Sequence, residues 1–177
     1  TNVELDHHAK WGGGLPELMA AFGEFAAGAD DVIVWRGQPE LADLAERTVG
    51  FGIGKGAGDD LVAEDVSTPA DPAAGSEFKL GDAVVRLGVR GDHNVLNSLA
   101  ALAAVRAIGQ PLSAATPALS GFHGVARRFE LIGDGPNGSR VYDDYAHHPT
   151  EVRAALTAAR QTAEGGRVVA LFQPHLY

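Results

Sequence analysis

The spacing of apolar residues along the chain predicts amphipathic helices. Between Leu15 and Gly28, apolar side chains recur every three or four positions, and Pro16 suits a first helical turn. The same spacing predicts a longer helix from Asn94 to Ile108, a short one from Leu112 to Leu119 and another from Pro149 to Ala159. We expect each helix to bury one face against a core.

Short apolar runs between these helices predict strands. Residues 31–35 and 49–52 flank a further predicted helix at Pro39–Arg47, and this βα alternation is typical of a parallel sheet. Residues 77–80 and 83–87 surround a Gly81-Asp82 turn and predict a β-hairpin. Near Phe122 the pattern restarts, with strands predicted at residues 128–132, 140–142 and 167–172. The sequence therefore predicts an α/β fold, with a mostly parallel sheet plus a hairpin and a domain boundary near residue 123.

Composition narrows the possible partners. The 177 residues carry a net charge of −9, from 23 acidic and 14 scattered basic side chains, which argues against nucleic acid binding. The absence of cysteine excludes disulfides and thiolate metal sites. No run approaches the roughly 20 apolar residues that span a bilayer, so we expect a cytoplasmic protein without a membrane partner. The first residue is Thr1 and the last follows an apolar run, so we expect part of a longer protein; the oligomeric state stays open.

The stretch DDYAHHPTEV, residues 143–152, concentrates polar side chains between a predicted strand and a predicted helix. Ligands bind at the carboxyl ends of strands in open α/β sheets. The alternative is a helix cap, with His148 or Thr150 as the cap, Pro149 in the first turn and Glu151 favoured by the helix dipole. Capping leaves four neighbours unexplained, and for these we favour a function: Asp143, Asp144, Tyr145 and His147.

Two other segments suggest metal or phosphate binding less specifically. The pair His7-His8 follows Asp6 and could ligate a divalent cation or lie in a solvated loop. The glycine-rich residues 50–58 do not form a P-loop, because Lys55 is followed by Gly56 where the motif needs Ser or Thr. We interpret this stretch as a flexible connection.

Two further segments suggest nucleotide contacts. Asn94 and Asn97 lie one turn apart on a predicted helix, where their amides could read an adenine edge, or Asn94 could simply cap the helix. The segment RRFE, residues 127–130, could neutralise phosphate through a guanidinium group or could be an exposed strand end.

In their order along nearly the whole chain, these motifs resemble the Mur ligases. The resemblance consists of TN-x-E-x-DH at the start, G-x-HN-x-x-N at residues 91–97, RRFE, DDYAHHPTE and FQPHLY at residues 172–177, of which DDYAHHPTE is the most specific. It implies that residues 1–123 form the later part of a P-loop-type central ATP-binding domain. Residues 124–177 would begin a Rossmann-like C-terminal domain that binds the amino acid.

The resemblance implies an ATP-dependent ligase of peptidoglycan precursor synthesis. ATP would convert the carboxylate of UDP-N-acetylmuramate to an acyl phosphate, which the amine of L-alanine would attack. The helix at residues 15–28 contains no lysine, as expected of the alanine-adding branch, because other branches carry a carbamylated lysine in this domain. We expect the 177-residue chain alone to be inactive, since it has no P-loop.

For the nucleotide, the resemblance implies that Asn94 and Asn97 hold the adenine and that Arg128 reaches the phosphates. Asp144 would contact the nucleotide from the second domain, with Asp143 as its neighbour. His7 would be a ligand of Mg²⁺.

For the acceptor, the resemblance implies an amino-acid pocket formed by Tyr145, His147 and His175. An imidazole has a pKa of about 6.5 and can take a proton near neutral pH, so His147 is the candidate base, although it could equally orient the substrate. Leu176 stands where some relatives have an arginine that could pair with the carboxylate of the amino acid.

Two other functions are compatible with the motifs. A ligase that joins a recovered tripeptide to the same UDP-sugar shares the histidine pair but resembles this chain less at Tyr145 and at residues 172–175. A non-catalytic homologue would bind nucleotide or a partner protein without turnover, although the presence of Asp144, His147 and His175 argues against such decay.

Overall fold

The computed structural model describes residues 2–5, 12–54, 60–69 and 74–174. Within these ranges the chain contains four α-helices and seven strands in an α/β arrangement, with 3-10 helices at Pro39–Asp43 and Pro136–Gly138. The elements in chain order are α1 (Leu15–Ala26), β1 (Val32–Trp35), β2 (Thr48–Ile53), β3 (Leu61–Ser67), β4 (Glu77–Leu80), β5 (Ala83–Arg86), α2 (Asp92–Ala107), α3 (Leu112–Ser120), β6 (Glu130–Asp134), β7 (Arg140–Asp143) and α4 (Pro149–Ala163).

The first five strands form one mixed sheet in the order β1-β2-β3-β4-β5. β1, β2 and β3 are parallel, whereas β3, β4 and β5 are antiparallel, and β4 and β5 form the predicted hairpin. The α/β fold with a parallel sheet and a hairpin is therefore confirmed, although parallel and antiparallel pairings contribute equally to the sheet.

Helix α2 covers this sheet and forms the main core. Its side chains Val95, Leu99 and Leu102 are buried against Phe51 of β2 and Phe78 of β4. These positions are spaced by three and four, so they lie on one face of the helix. Because the first two turns of α2 carry Asn94 and Asn97, burial of the apolar face fixes where the two side-chain amides lie.

Strand β3 was not predicted from the sequence. Leu61 and Ala63 are fully buried and alternate with more exposed residues, which is the period of a strand with one covered face. The acidic residues Glu64 and Asp65 and the preceding glycines mask this short pattern. Of the glycine-rich stretch, residues 50–53 belong to β2, so its interpretation as a flexible connection is wrong there, and residues 55–58 lie outside the described residues.

The helix predicted at Pro39–Arg47 is shorter than expected. Only a 3-10 helix at Pro39–Asp43 forms, and residues 45–47 are bends. Leu41 and Leu44 alone anchor this connection to the core formed with α1 and β1. Two anchors three residues apart support a single turn and do not define a longer buried face.

The second part of the chain contains β6, β7 and α4. β6 and β7 pair in antiparallel fashion, and the ring of Phe129 stacks on that of Tyr142 with centroids 4.4 Å apart. The guanidinium of Arg140 on β7 donates to the carbonyl oxygen of Thr162 on α4 at 3.1 Å. These contacts fix the loop between β7 and α4 at both of its ends.

The strand predicted at residues 167–172 is wrong. This segment has no regular structure, and Val169 and Leu171 are exposed. A strand forms by hydrogen bonding to a neighbouring strand, and no such partner lies beside it among the described residues. The apolar run alone could not show whether a neighbouring strand lies beside it.

Residues 121–129 connect α3 to β6 without a helix or strand and contain the predicted domain boundary, which stays a prediction. Among the helices of the described ranges, none has the length and apolar character needed to cross a membrane.

Candidate functional site

The loop between β7 and α4 ends in a helix cap. The ring of His148 accepts a hydrogen bond from the Thr150 amide at 3.4 Å. Glu151 completes a capping box because its carboxylate accepts from the His148 amide, also at 3.4 Å. Pro149 lies in the first turn, as predicted. Of the two predicted cap residues, His148 holds the position and Thr150 does not.

Asp144 holds the same loop against the RRFE segment. One carboxylate oxygen accepts from the Phe129 amide at 2.8 Å, and the other accepts from the Ala146 amide at 2.7 Å. The Tyr145 amide donates to the carbonyl oxygen of Arg127 at 2.8 Å. Arg127 and Phe129 have φ angles of 60° and 50°, a conformation that is unfavourable for residues with a side chain. These hydrogen bonds hold that conformation in place.

The guanidinium group of Arg127 contacts the side chains of two predicted site residues. Its guanidinium lies 4.5 Å from the centre of the Tyr145 ring, and its Nε lies 3.7 Å from the carboxylate of Asp143. The Tyr145 ring also meets the ring of His147 edge-on at 5.3 Å. Asp143 and Tyr145 therefore belong to one exposed cluster around Arg127.

A cavity of about 950 Å³ lies between the two parts of the chain. Four of the residues predicted to bind nucleotide line it: Asn94, Asn97, Arg128 and Asp144. From α4 and its cap, His148, Thr150 and Glu151 line the opposite wall. Asp143 is not among the described residues that line this cavity. The structure thus brings together side chains from α2, the RRFE segment and the DDYAHHPTEV loop.

The two asparagines lie on the first turns of α2. The helix begins at Asp92, with Gly91 in the N-cap position at a φ of 97°, so the prediction that Asn94 could cap it is wrong. The side-chain amide nitrogen Nδ2 of Asn94 instead donates to the carbonyl oxygen of Arg90 at 2.7 Å. This bond fixes the orientation of the Asn94 amide at the cavity wall.

His93 is a cavity residue that the sequence motif contains but that was not singled out. Burial lowers the pKa of His93 below its usual value, and Arg128 acts in the same direction. The carboxylates of Asp144 and Asp92 oppose this shift without cancelling it. His93 is therefore held in its neutral form near neutral pH.

Glu151 contacts both the loop before α4 and the RRFE segment. Its carboxylate accepts from the His147 amide at 3.2 Å and from the Arg128 guanidinium at 3.3 Å, in addition to the cap bond from His148. Burial acts to raise the pKa of Glu151, but the backbone hydrogen bonds from His147 and His148 and the charge of Arg128 hold that pKa below its usual value. Glu151 therefore stays ionised.

The ring of His147 has a defined environment at Nδ1. This nitrogen lies 3.1 Å from the carbonyl oxygen of Tyr145 and 3.6 Å from the carboxylate of Glu151. Both neighbours only accept hydrogen bonds, which favours the tautomer with the proton on Nδ1 and the lone pair on Nε2. His147 also lines a second cavity of about 630 Å³ together with Phe172 and Pro174, which precede His175 in the chain.

Two predicted site residues, His7 and His175, lie outside the described residues. Within the described ranges, no group of three or more histidine, aspartate or glutamate side chains could hold a metal ion. The metal site predicted at His7 therefore stays a prediction.

Glu4 makes a long-range contact that no pattern in the sequence predicts. Its carboxylate accepts from the Thr150 hydroxyl at 2.6 Å and lies 3.2 Å from Nδ1 of His148. These partners are almost the whole chain length apart, so only the folded arrangement reveals the contact. It joins the TN-x-E-x-DH segment to the start of α4.

Comparison with known proteins relates the chain to one family. Residues 127–175 match the family model described as Mur ligase, glutamate ligase domain. The chain is 43% identical over 190 residues to the UDP-N-acetylmuramate–L-alanine ligase of Mycolicibacterium smegmatis, an alignment that covers 100% of this chain and 39% of that relative. The chain thus spans about two fifths of the length of the curated relatives it matches.

Solved structures lead to the same family. The UDP-N-acetylmuramate–alanine ligase of Thermotoga maritima superposes with a TM-score of 0.77 at 31% identity, covering 96% of this chain and 39% of that one. A murein peptide ligase of Psychrobacter arcticus superposes with a TM-score of 0.58 at 29% identity, covering 84% and 32%. The family resemblance of the sequence motifs is thereby confirmed.

The lowered pKa of His93 predicts a pH-dependent stability that His93→Gln reduces. In the unfolded chain His93 takes up a proton below about pH 6.5, whereas the buried ring resists protonation. The free energy of unfolding should therefore fall in the wild type as the pH drops from about 7.5 to 5.5, and fall less in His93→Gln. Urea unfolding at several pH values measures this difference. The exposed His123→Gln should keep the wild-type dependence, and equal slopes for all three proteins would contradict the prediction.

Proposed function

We propose that this chain, a relative of the Mur ligases, is part of an ATP-dependent ligase that joins L-alanine to UDP-N-acetylmuramate. The observation that carries the proposal is the cavity between the two parts of the chain, where Asn94, Asn97, Arg128 and Asp144 meet. The reaction would belong to the synthesis of peptidoglycan precursors in the cytoplasm. Its intermediate would be an acyl phosphate of the sugar's carboxylate.

The cavity has the size and chemistry for a nucleotide. Its volume of about 950 Å³ is near the upper end of the range of about 300 to 1,000 Å³ that is usual for ligand sites. Amide side chains can both donate to and accept from an adenine edge, so we assign that role to Asn94 and Asn97. ATP would supply the phosphoryl group that makes the carboxylate reactive.

Arg128 is the proposed phosphate ligand. A guanidinium has five N–H donors in a fixed fork, so a hydrogen bond to Glu151 leaves donors for phosphate oxygens. Charge neutralisation of this kind provides most of the catalysis in phosphoryl transfer. Asp144 would contact the nucleotide with the remaining lone pairs of its carboxylate, while its backbone hydrogen bonds keep it in place. Asp143 would be an outer neighbour.

We assign the acceptor side to the neighbourhood of His147. With the proton on Nδ1, its Nε2 carries the lone pair and is the atom that would take the proton lost by the attacking amine. Tyr145 would pack beside the amino acid, and His175 would complete the pocket. Mg²⁺ would be bound through His7 and would neutralise phosphate charge.

The assay that tests this function measures phosphate release from ATP by the intact protein with UDP-N-acetylmuramate. We expect release that depends on added L-alanine. Release that depends only on the tripeptide would assign the protein to precursor recycling. No release with either amine would favour a non-catalytic nucleotide-binding protein and contradict the proposal.

The role of His147 is tested by His147→Ala in the intact protein. If His147 takes the proton or orients the amine, amide formation should fall by about 10²- to 10⁴-fold while the Kd for ATP changes little. Steady-state kinetics and calorimetric titration with ATP measure the two quantities separately. His123→Ala, an exposed histidine outside the cavity, is the control. An equal loss of catalysis and ATP affinity would indicate that His147 only maintains the structure.

A further inference from the structure

We propose that Glu151 is a positioning residue that holds the phosphate-binding arginine and the acceptor-side histidine in one arrangement. This inference rests on the proposed function of Arg128 and His147. It assigns to Glu151 a role in the reaction beyond capping helix α4.

The contacts of Glu151 exceed those of a capping box. In a capping box, the Glu151 carboxylate needs to accept only from the His148 amide. Glu151 also accepts from the His147 amide at 3.2 Å and from the Arg128 guanidinium at 3.3 Å, and it lies 3.6 Å from Nδ1 of His147. One carboxylate therefore contacts the backbone and ring of one proposed site residue and the side chain of another.

These contacts fix groups that would otherwise be free to move. The Arg128 side chain is about half exposed, and a long exposed side chain samples many rotamers unless a partner holds it. Oε1 of Glu151 provides that partner, while Oε2 holds the loop that carries His147. The Arg128 guanidinium and the His147 loop are thus both held by one carboxylate at the first turn of α4.

The charge of Glu151 is as important as its shape. A carboxylate on the wall of a phosphate site would repel the phosphates unless a cation paired with it. Arg128 is that cation, and Glu151 in return directs the guanidinium towards the cavity wall that both residues line. Neutral glutamine at this position would keep the size of the side chain but lose one of the acceptor oxygens and the charge.

The test compares Glu151→Gln, Glu151→Asp and Arg128→Lys in the intact protein, assayed for L-alanine-dependent phosphate release. Because misplacement of catalytic groups by about 1 Å can cost up to 100-fold, we expect kcat to fall by about 10- to 100-fold in Glu151→Gln. The charge-retaining Glu151→Asp should keep more activity. If Glu151 acts through Arg128, the double variant Arg128→Lys with Glu151→Gln should be no slower than the slower single variant.

Glu164→Gln is the matched control, because it removes one carboxylate from the exposed opposite end of the same helix. It should retain the wild-type kcat. The thermal unfolding midpoint of every variant separates catalysis from stability. A lowered midpoint for Glu151→Gln with a wild-type kcat would overturn the proposal and leave Glu151 as a cap only, and losses that multiply in the double variant would overturn the claim that Glu151 acts through Arg128.

A second readout needs no substrate and separates this inference from the proposed function. The NMR signal of the Arg128 side-chain Nε–H should shift in Glu151→Gln but not in Glu164→Gln. If the wild type shows no L-alanine-dependent release, the proposed function fails, yet this shift still supports the positioning contact. An unchanged Arg128 signal would overturn the inference whatever the activity.

Discussion

The arrangement of the site depends on hydrogen bonds between two carboxylates and backbone amides of the loop that precedes α4. Asp144 ties the loop to Phe129, and Glu151 ties it to the first turn of the helix. The Asp144 bond also helps to hold the unfavourable φ angle of Phe129. The loop and the RRFE segment are therefore held together as one unit.

This unit faces a wall that is built by a different physical effect. Burial of the apolar face of α2 against Phe51 and Phe78 fixes the helix, and its first turns then carry Asn94 and Asn97 to the cavity. Hydrophobic packing thus positions the amides, whereas polar contacts position the arginine and the histidine. Glu4 bridges the two parts through Thr150, so a direct hydrogen bond joins residues from two walls of the cavity.

The sequence predicted most of what depends on local patterns. Helices α1 to α4 followed from apolar spacing, and a cap at His148 or Thr150 was predicted with Pro149 in the first turn, whereas the capping-box role of Glu151 was not. Strand β3 was missed because acidic residues and adjacent glycines obscure its alternation, and the strand at residues 167–172 was wrong because a strand also needs a neighbour. The contact of Glu4 with Thr150 could not be predicted, since nothing local distinguishes Glu4 from a solvated side chain. Spacing also suggested that Asp144 faces a ligand, but it could not show that both carboxylate oxygens already bind backbone amides.

The central claim is that the two parts of the chain enclose one nucleotide site. A crystal structure of the intact protein with a non-hydrolysable ATP analogue tests this most directly. The account predicts the adenine against Asn94 and Asn97 and a phosphate oxygen within hydrogen-bond distance of the Arg128 guanidinium. An analogue bound away from these three side chains would contradict it.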